Sequence, residues 1–190
     1  MNNFIDIEDI DSNQLKKIMV FSAGLKAERK NISKGTKDFK KYLTNRVVAL
    51  LFKKPSTRTR FSFEVGVFQM GGQTITVSSN EMQLSNFESM LDTAGVLSQY
   101  LDMVVIRTDN HSDLNDLTKY SNIPIINGLS DISHPCQVLS DIFTFEEIIG
   151  SIKGKKVVWL GDSNNLCNSY IQASKKFSFE LIISGPPEFL

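Results

Sequence analysis

The run Val47-Val48-Ala49-Leu50-Leu51-Phe52 is apolar without interruption, and it stops at Lys53-Lys54-Pro55. A strand that is apolar at every position has both faces covered, the condition of a strand inside a parallel sheet. Pro55 cannot extend the ladder, and Ser56 is a natural helix N-cap. Phe61, Val65 and Phe68 then recur at helical spacing in a segment ending at Met70. The stretch reads as strand, tight turn and helix start. Such a turn can hold an anion, because the first N–H groups of a helix lack acceptors and sit at the positive end of its dipole. Ser56, Thr57 and Thr59 add hydroxyl donors, and Arg58 adds a planar fork matched to phosphate oxygens. Taken alone, the same cluster is also an ordinary well-capped helix start.

The rest of the chain repeats this alternation. Ser12 to Arg29 is an amphipathic helix, capped by Asp11 or Ser12, with Leu15, Ile18, Met19 and Leu25 along one stripe. The lysine-rich passage from Lys30 to Arg46 reads as loop with a short helical piece. After the helix that follows Ser56, which ends at Gly71-Gly72, Thr74 to Val77 is a second strand. Ser85-Asn86-Phe87-Glu88 has the form of a capping box and opens a helix reaching Tyr100. Met103 to Arg107, Asp113 to Tyr120 and Ile123 to Ile126 follow as strand, helix and strand. The spacing predicts an α/β fold with a parallel four-stranded sheet flanked by helices and right-handed crossovers. Gly150-Ser151-Ile152-Lys153-Gly154 reads as a boundary, so that domains span 1–150 and 151–190, the second opening with a βαβ unit from Lys155 to Ser184.

Open parallel sheets bind ligands beyond the carboxyl ends of their strands. The Ser56 turn follows the first strand, and Arg107 ends the third. His134-Pro135-Cys136-Gln137 begins a helix a short loop beyond the fourth. Pro135 suits a first helical turn, and His134 and Gln137, at i and i+3, can reach one ligand. A histidine at a helix cap and an arginine after a strand also have plain structural readings. Their shared edge with the anion turn favours the binding one.

Composition narrows the partners. Lys plus Arg and Asp plus Glu both number 21, which leaves no electrostatic footprint for nucleic acid or an anionic membrane. The acidic Met1 to Asp11 stretch lacks the basic start of a signal peptide, and no apolar run approaches the roughly 20 residues of a membrane span. A cytoplasmic location is the expectation. Cys136 and Cys167 form no disulfide framework and read as reduced thiols. Gly161-Asp162-Ser163-Asn164-Asn165-Leu166 follows a strand but lacks the second and third glycines of a dinucleotide fingerprint, which argues against a nicotinamide enzyme.

The string from Phe52 through Ser56-Thr57-Arg58-Thr59-Arg60 to Glu64 resembles the carbamoyl-phosphate loop of the aspartate and ornithine carbamoyltransferases. The His134-Pro135-x-Gln137 motif and the Gly161-Asp162-x-Asn164-Asn165 loop followed by Ser169 resemble the same family, in its order. In aspartate-specific members the last loop typically carries an arginine. Here it carries amides, as in ornithine carbamoyltransferases. The resemblance implies transfer of a carbamoyl group from carbamoyl phosphate to the δ-amine of L-ornithine, giving citrulline and phosphate, a step of arginine biosynthesis or of the urea-cycle type, with the anabolic or catabolic direction open. No metal or organic cofactor is implied.

The resemblance assigns Ser56, Thr57, Arg58, Thr59, Arg107, His134 and Gln137 to carbamoyl phosphate and Asn165 to ornithine. Arg107, His134 and Thr59 become the catalytic candidates, donors to the carbamoyl oxygen as it gains charge. It further implies a homotrimer in which Gln83 is lent to a neighbour's site. Phe87 departs from the lysine that some relatives have near this loop. Residues 151–190 correspond to the start of a Rossmann-like, ornithine-binding second domain. The later Asp, Ser-Met and Cys-Leu-Pro elements of that domain are not in this sequence. The expectation is therefore that these 190 residues do not catalyse alone, as a fragment, a truncated product or a shortened subunit. The alternatives are a degenerate carbamoyl-phosphate-binding remnant, or an enzyme using putrescine or aspartate as acceptor.

Overall fold

The computed structural model describes residues 3–78 and 90–189. Helix α1 (Ser12–Glu28) leads into β1 (Val47–Phe52), followed by α2 (Thr57–Gln69), β2 (Gln73–Ser78), α3 (Met90–Tyr100), β3 (Met103–Arg107), α4 (His111–Tyr120), β4 (Ile125–Leu129) and α5 (Pro135–Ile149). All four strands are parallel, in the order β2-β1-β3-β4. A separate parallel pair, β5 (Lys156–Leu160) and β6 (Glu180–Ser184), is joined by α6 (Asn165–Phe177). The four-stranded parallel sheet flanked by helices is thus present as the sequence pattern predicts.

The pleat decides what lies on each face. Ala49, Leu51, Val104, Ile106 and Ile125 pack with Ala94 of α3 and Leu114 and Leu117 of α4. Residues of the other parity, Val48, Leu50, Phe52 and Val105, pack with Phe63 and Val67 of α2. Side chains alternate along a strand, so Arg107 shares its face with Val105 and projects on the α2 side. The helix that carries the anion turn and the arginine at the end of β3 are placed together by strand geometry alone.

A third cluster joins Ile7, Ile10, Leu15 and Met19 to Val138, Leu139 and Ile142 of α5, and to Ile152, Ala173 and Phe179 of the second unit. The N-terminal segment extends the sheet edge, with a parallel bridge between Phe4 and Ile126. It also touches α6, where the Ile7 N–H donates to Gln172 Oε1 at 3.0 Å.

Several local expectations shift. Strand β4 begins and ends later than its apolar run, because buried Asn127 is tolerated inside it: its amide donates to the Ile5 carbonyl at 3.0 Å and to Ser133 Oγ at 2.9 Å. Helix α4 begins earlier, at His111, since the Asn110 side chain caps the Ser112 N–H. Residues 30–46 contain turns and no helix. They are pinned by the Arg29–Asp38 ion pair and by Asp38 and Leu43 N–H bonds to the Gln69 and Met70 carbonyls at 2.7 and 2.8 Å. The spacing of Phe61, Val65 and Phe68 is helical, yet these side chains face outward, Phe61 being 59% exposed. The face of α2 that meets the sheet is set by Phe63 and Val67. The capping box at Ser85 and the departure at Phe87 lie outside the described residues.

Candidate active site

Strand order fixes where a ligand can sit. From β1 the chain moves to β2 on one side, then crosses to β3 and β4 on the other, so the topological switch lies between β1 and β3. At that point Phe52 pairs with Arg107 in the ladder, and the Lys53 N–H continues the pairing onto the Arg107 carbonyl at 2.9 Å. Lys53 Nζ reaches Asp113 Oδ2 at 2.7 Å, and the buried Thr108 hydroxyl donates to the same oxygen. This link ties the ends of β1 and β3 to the start of α4.

Ser56 occupies the N-cap of α2, but its side chain makes no capping hydrogen bond. The expectation of a side-chain cap fails there. Its hydroxyl is left for another partner, beside the unfilled N–H groups of the first turn. Thr57, Arg58 and Thr59 form that turn. The motif's two arginines have different surroundings. Arg60 Nε donates to Glu64 Oε1 at 2.9 Å, and Glu64 also accepts from the Thr76 hydroxyl at 2.6 Å. The Thr76 hydroxyl foremost, with Arg60 behind it, holds the Glu64 carboxyl below its ordinary range against a desolvation that opposes them. Arg60 is therefore neutralised in place. Arg58 forms no ion pair with any described residue. A cavity of about 610 Å³ opens beside Ser56, Thr57, Arg60, Phe61 and Thr76.

Arg107 approaches the turn from the opposite side, with an Nη at 3.5 Å from Thr59 Oγ1. Its buried Nε finds no partner among the described residues. Burial first, and the neighbouring Arg58 charge second, pull the Arg107 pKa below its ordinary value. His134, the N-cap residue of α5, also has a buried ring nitrogen, Nδ1, without a described partner. Burial, reinforced by Arg107 and opposed by Asp141, brings its pKa down to about 4, so the imidazole is neutral near pH 7. Two guanidiniums, a helix N-terminus and a neutral imidazole thus meet, and the nearby described carboxylate, Asp141, bonds Gln137 and forms no ion pair with either arginine. Such a site favours a dianion, which would relieve the repulsion and satisfy the orphaned donors.

Gln137, also predicted, lies one turn into α5, where its Nε2 donates to Asp141 Oδ1 at 2.8 Å. Asn165 begins α6, and its Nδ2 donates to the Ser130 carbonyl at 2.6 Å, leaving Oδ1 as its free end. The Ser169 hydroxyl accepts from the His134 N–H at 2.8 Å. The N-terminal ends of α5 and α6 are stitched together by these bonds. Gln83 lies outside the described residues. Sequence reasoning missed Asp141 and Tyr170 and took Ser169 only as part of a motif, with no contact to His134; the i, i+4 spacing of Gln137 and Asp141 was the one local signal available.

Cys136 and Cys167 are free thiols. Burial pushes the Cys136 thiol up to about 12, and its Sγ lies 3.4 Å from the Asn127 carbonyl, so it packs rather than reacts. Among the described residues no group of His, Cys, Asp and Glu is arranged to hold a metal ion, and no helix is long and apolar enough to cross a membrane. A larger cavity, about 770 Å³ between α1 and α5, is lined by Met19, Val20, Ala23 and Phe143 with charged residues at its rim, and lacks convergent unpaired donors.

Comparison with known proteins agrees with this geometry. Residues 2–147 match the family model described as the aspartate/ornithine carbamoyltransferase carbamoyl-P binding domain. An ornithine carbamoyltransferase of Ruegeria pomeroyi is 49% identical over 189 residues, which cover 100% of this chain and 61% of that protein. The solved structure of the Pyrococcus furiosus ornithine carbamoyltransferase superposes with a TM-score of 0.93 at 37% identity, covering 99% of this chain and 58% of that one. That from Burkholderia thailandensis gives 0.92 at 37% identity, covering 100% and 64%. The chain spans about 60% of the length of these relatives. With its sheet order and its relatives in agreement, the chain belongs to the aspartate/ornithine carbamoyltransferase family.

Proposed function

We propose that this chain carries the carbamoyl-phosphate half of an ornithine carbamoyltransferase site and the first contacts of the acceptor half. The observation that carries the reading is the pair of buried nitrogens, Arg107 Nε and His134 Nδ1, without a partner among the described residues, beside an α2 N-terminus at which Arg58 lacks a described counter-ion. Ser56, Thr57, Arg58 and Thr59 take the phosphate. Arg107, neutral His134 and Thr59 face the carbamoyl oxygen, which gains negative charge as the ornithine δ-amine attacks the carbon. Gln137 accepts from the carbamoyl NH₂. The departing phosphate takes the amine proton, so no separate base is needed. Asn165 contributes to the ornithine side through its free carbonyl oxygen.

The acceptor assignment rests on the amide loop at Asn164-Asn165 and on relatives named ornithine carbamoyltransferase. A cytoplasmic homotrimer, with Gln83 lent across subunits, belongs to the same proposal. The test is a calorimetric titration of carbamoyl phosphate into the 190-residue protein, with its oligomeric state measured in the same sample. Saturable binding that Arg58→Ala weakens at least about tenfold supports the site. A folded protein without saturable binding overturns it. Citrulline formation by a preparation of these residues alone would show that the acceptor side is also sufficient.

A further inference from the structure

An amide side chain has two chemically opposite ends, and which end meets a ligand decides what it recognises. The Gln137 NH₂ group lies 2.8 Å from Asp141 Oδ1. A carboxylate only accepts, so it can hold the NH₂ end and not the carbonyl end. Gln137 Oε1 is thereby left as the free end. Asp141 is itself held from across the chain: the Tyr170 hydroxyl of α6 donates to Oδ2 at 3.0 Å. Tyr170 packs against Trp159 of β5 with ring centroids 5.8 Å apart. Burial first, and the Asp141 charge second, raise the phenol well above its ordinary pKa, so it remains a donor. Asp141 thus has one oxygen on the carbamoyl side and one on α6. Asp141 is at i+4 from Gln137 and i+7 from His134, on the same face of α5.

We propose that Asp141 is a positioning residue that locks the Gln137 amide with its carbonyl outward, so that the site selects a carbamoyl group over an acetyl group of the same shape. This rests on the carbamoyl-phosphate reading above. Carbamoyl phosphate and acetyl phosphate differ at one group, NH₂ against CH₃. A held acceptor finds a donor in the first and none in the second, whereas a released Gln137 turns to water and discriminates less, even though its bond to Asp141 is exposed. Tyr170 makes the lock depend on the seating of α6, which also bears Asn165. The donor and acceptor sides are therefore coupled through one carboxylate.

The experiment compares carbamoyl phosphate, acetyl phosphate and inorganic phosphate by calorimetry on the wild type and on Asp141→Leu, Asp141→Asn and Tyr170→Phe. The wild type should prefer carbamoyl over acetyl phosphate by at least about tenfold. Asp141→Leu should cut that preference about three- to tenfold, beyond any uniform change in affinity that the lost charge brings to all three ligands. Asp141→Asn, whose carbonyl can still accept from Gln137, should restore part of it. Tyr170→Phe should lower it about twofold, and it decides the matter if Asp141→Leu does not fold. An unchanged ratio in the folded variants, or equal weakening of all three ligands, overturns the proposal. A wild type that binds both acyl phosphates without preference overturns it while leaving the anion site intact. A wild type that binds none of the three overturns the carbamoyl-phosphate reading itself.

Discussion

Strands β1 and β5 are alike as sequence and unlike as structure. Val47-Val48-Ala49-Leu50-Leu51-Phe52 is buried at every position from Val48 onward. Lys156-Val157-Val158-Trp159-Leu160 alternates, with Val158 52% and Leu160 77% exposed, and β6 repeats the alternation. The difference lies in what covers them. β1 sits between α2 on one face and the α3 and α4 layer on the other, whereas β5 and β6 pack their Val157 and Leu181 side into the cluster shared with α5 and α6. An apolar run identifies a strand, but burial of its second face depends on a second layer. The electrostatics differ in parallel. Beyond the end of the sheet of β1, Arg107 Nε and His134 Nδ1 have no partner among the described residues, while the Lys156 and Glu180 charges of β5 and β6 are exposed and paired at 3.6 Å.

The sharpest test of this contrast replaces one leucine in each sheet. Leu50→Ala, at a position with no exposure, should cost about 2–5 kcal/mol in urea unfolding. Leu160→Ser should stay within about 0.5 kcal/mol of the wild type. Equal losses would mean that β5 is covered in solution. Next in size, Arg58→Ala should weaken carbamoyl phosphate binding by about 1.5–3 kcal/mol in a calorimetric titration. Arg60→Ala, already neutralised by Glu64, should weaken it much less. Similar effects from both would dissolve the distinction between the two arginines.

A smaller effect follows from His134, held at about 4 against an ordinary 6.5. Between these values the unfolded chain binds a proton that the folded chain refuses. Its contribution to stability is complete above about pH 6.5 and is lost as pH falls toward 4. Denaturant midpoints at pH 7 and pH 5 should show a loss of ~1 kcal/mol from this residue, scaled down because part of the ring stays hydrated. His134→Asn should lose less over the same interval. The smallest change belongs to the second unit. Lys156→Ala breaks an exposed pair and should shift stability by under about 0.5 kcal/mol at any pH near neutrality.

Much of the candidate site could be proposed from the sequence because it is built from contiguous residues. Ser56 to Thr59 form one turn, and His134 and Gln137 lie on one helical face, so their proximity is set by local geometry. Arg107 was legible by topology, as the last residue of a strand whose neighbour precedes the anion turn. The partners that orient these groups were not legible. Asp113 reaches Lys53, Ser169 reaches His134 and Tyr170 reaches Asp141 through contacts distant along the chain, for which no spacing rule exists.

The same division runs through the fold. Uninterrupted or alternating apolar runs, caps and glycines determined the order and kind of the described elements, since those signals act within a few residues. Register, facing and coverage were decided in three dimensions. Asn127 sits inside β4 because the Ile5 carbonyl and Ser133 Oγ accept from its Nδ2, and α2 turns Phe63 and Val67 to the sheet while Phe61 faces water. An isolated helix or strand has no preference among faces of similar hydrophobicity. Only packing against a particular neighbour breaks the tie, because burial free energy is gained where another surface exists to exclude water.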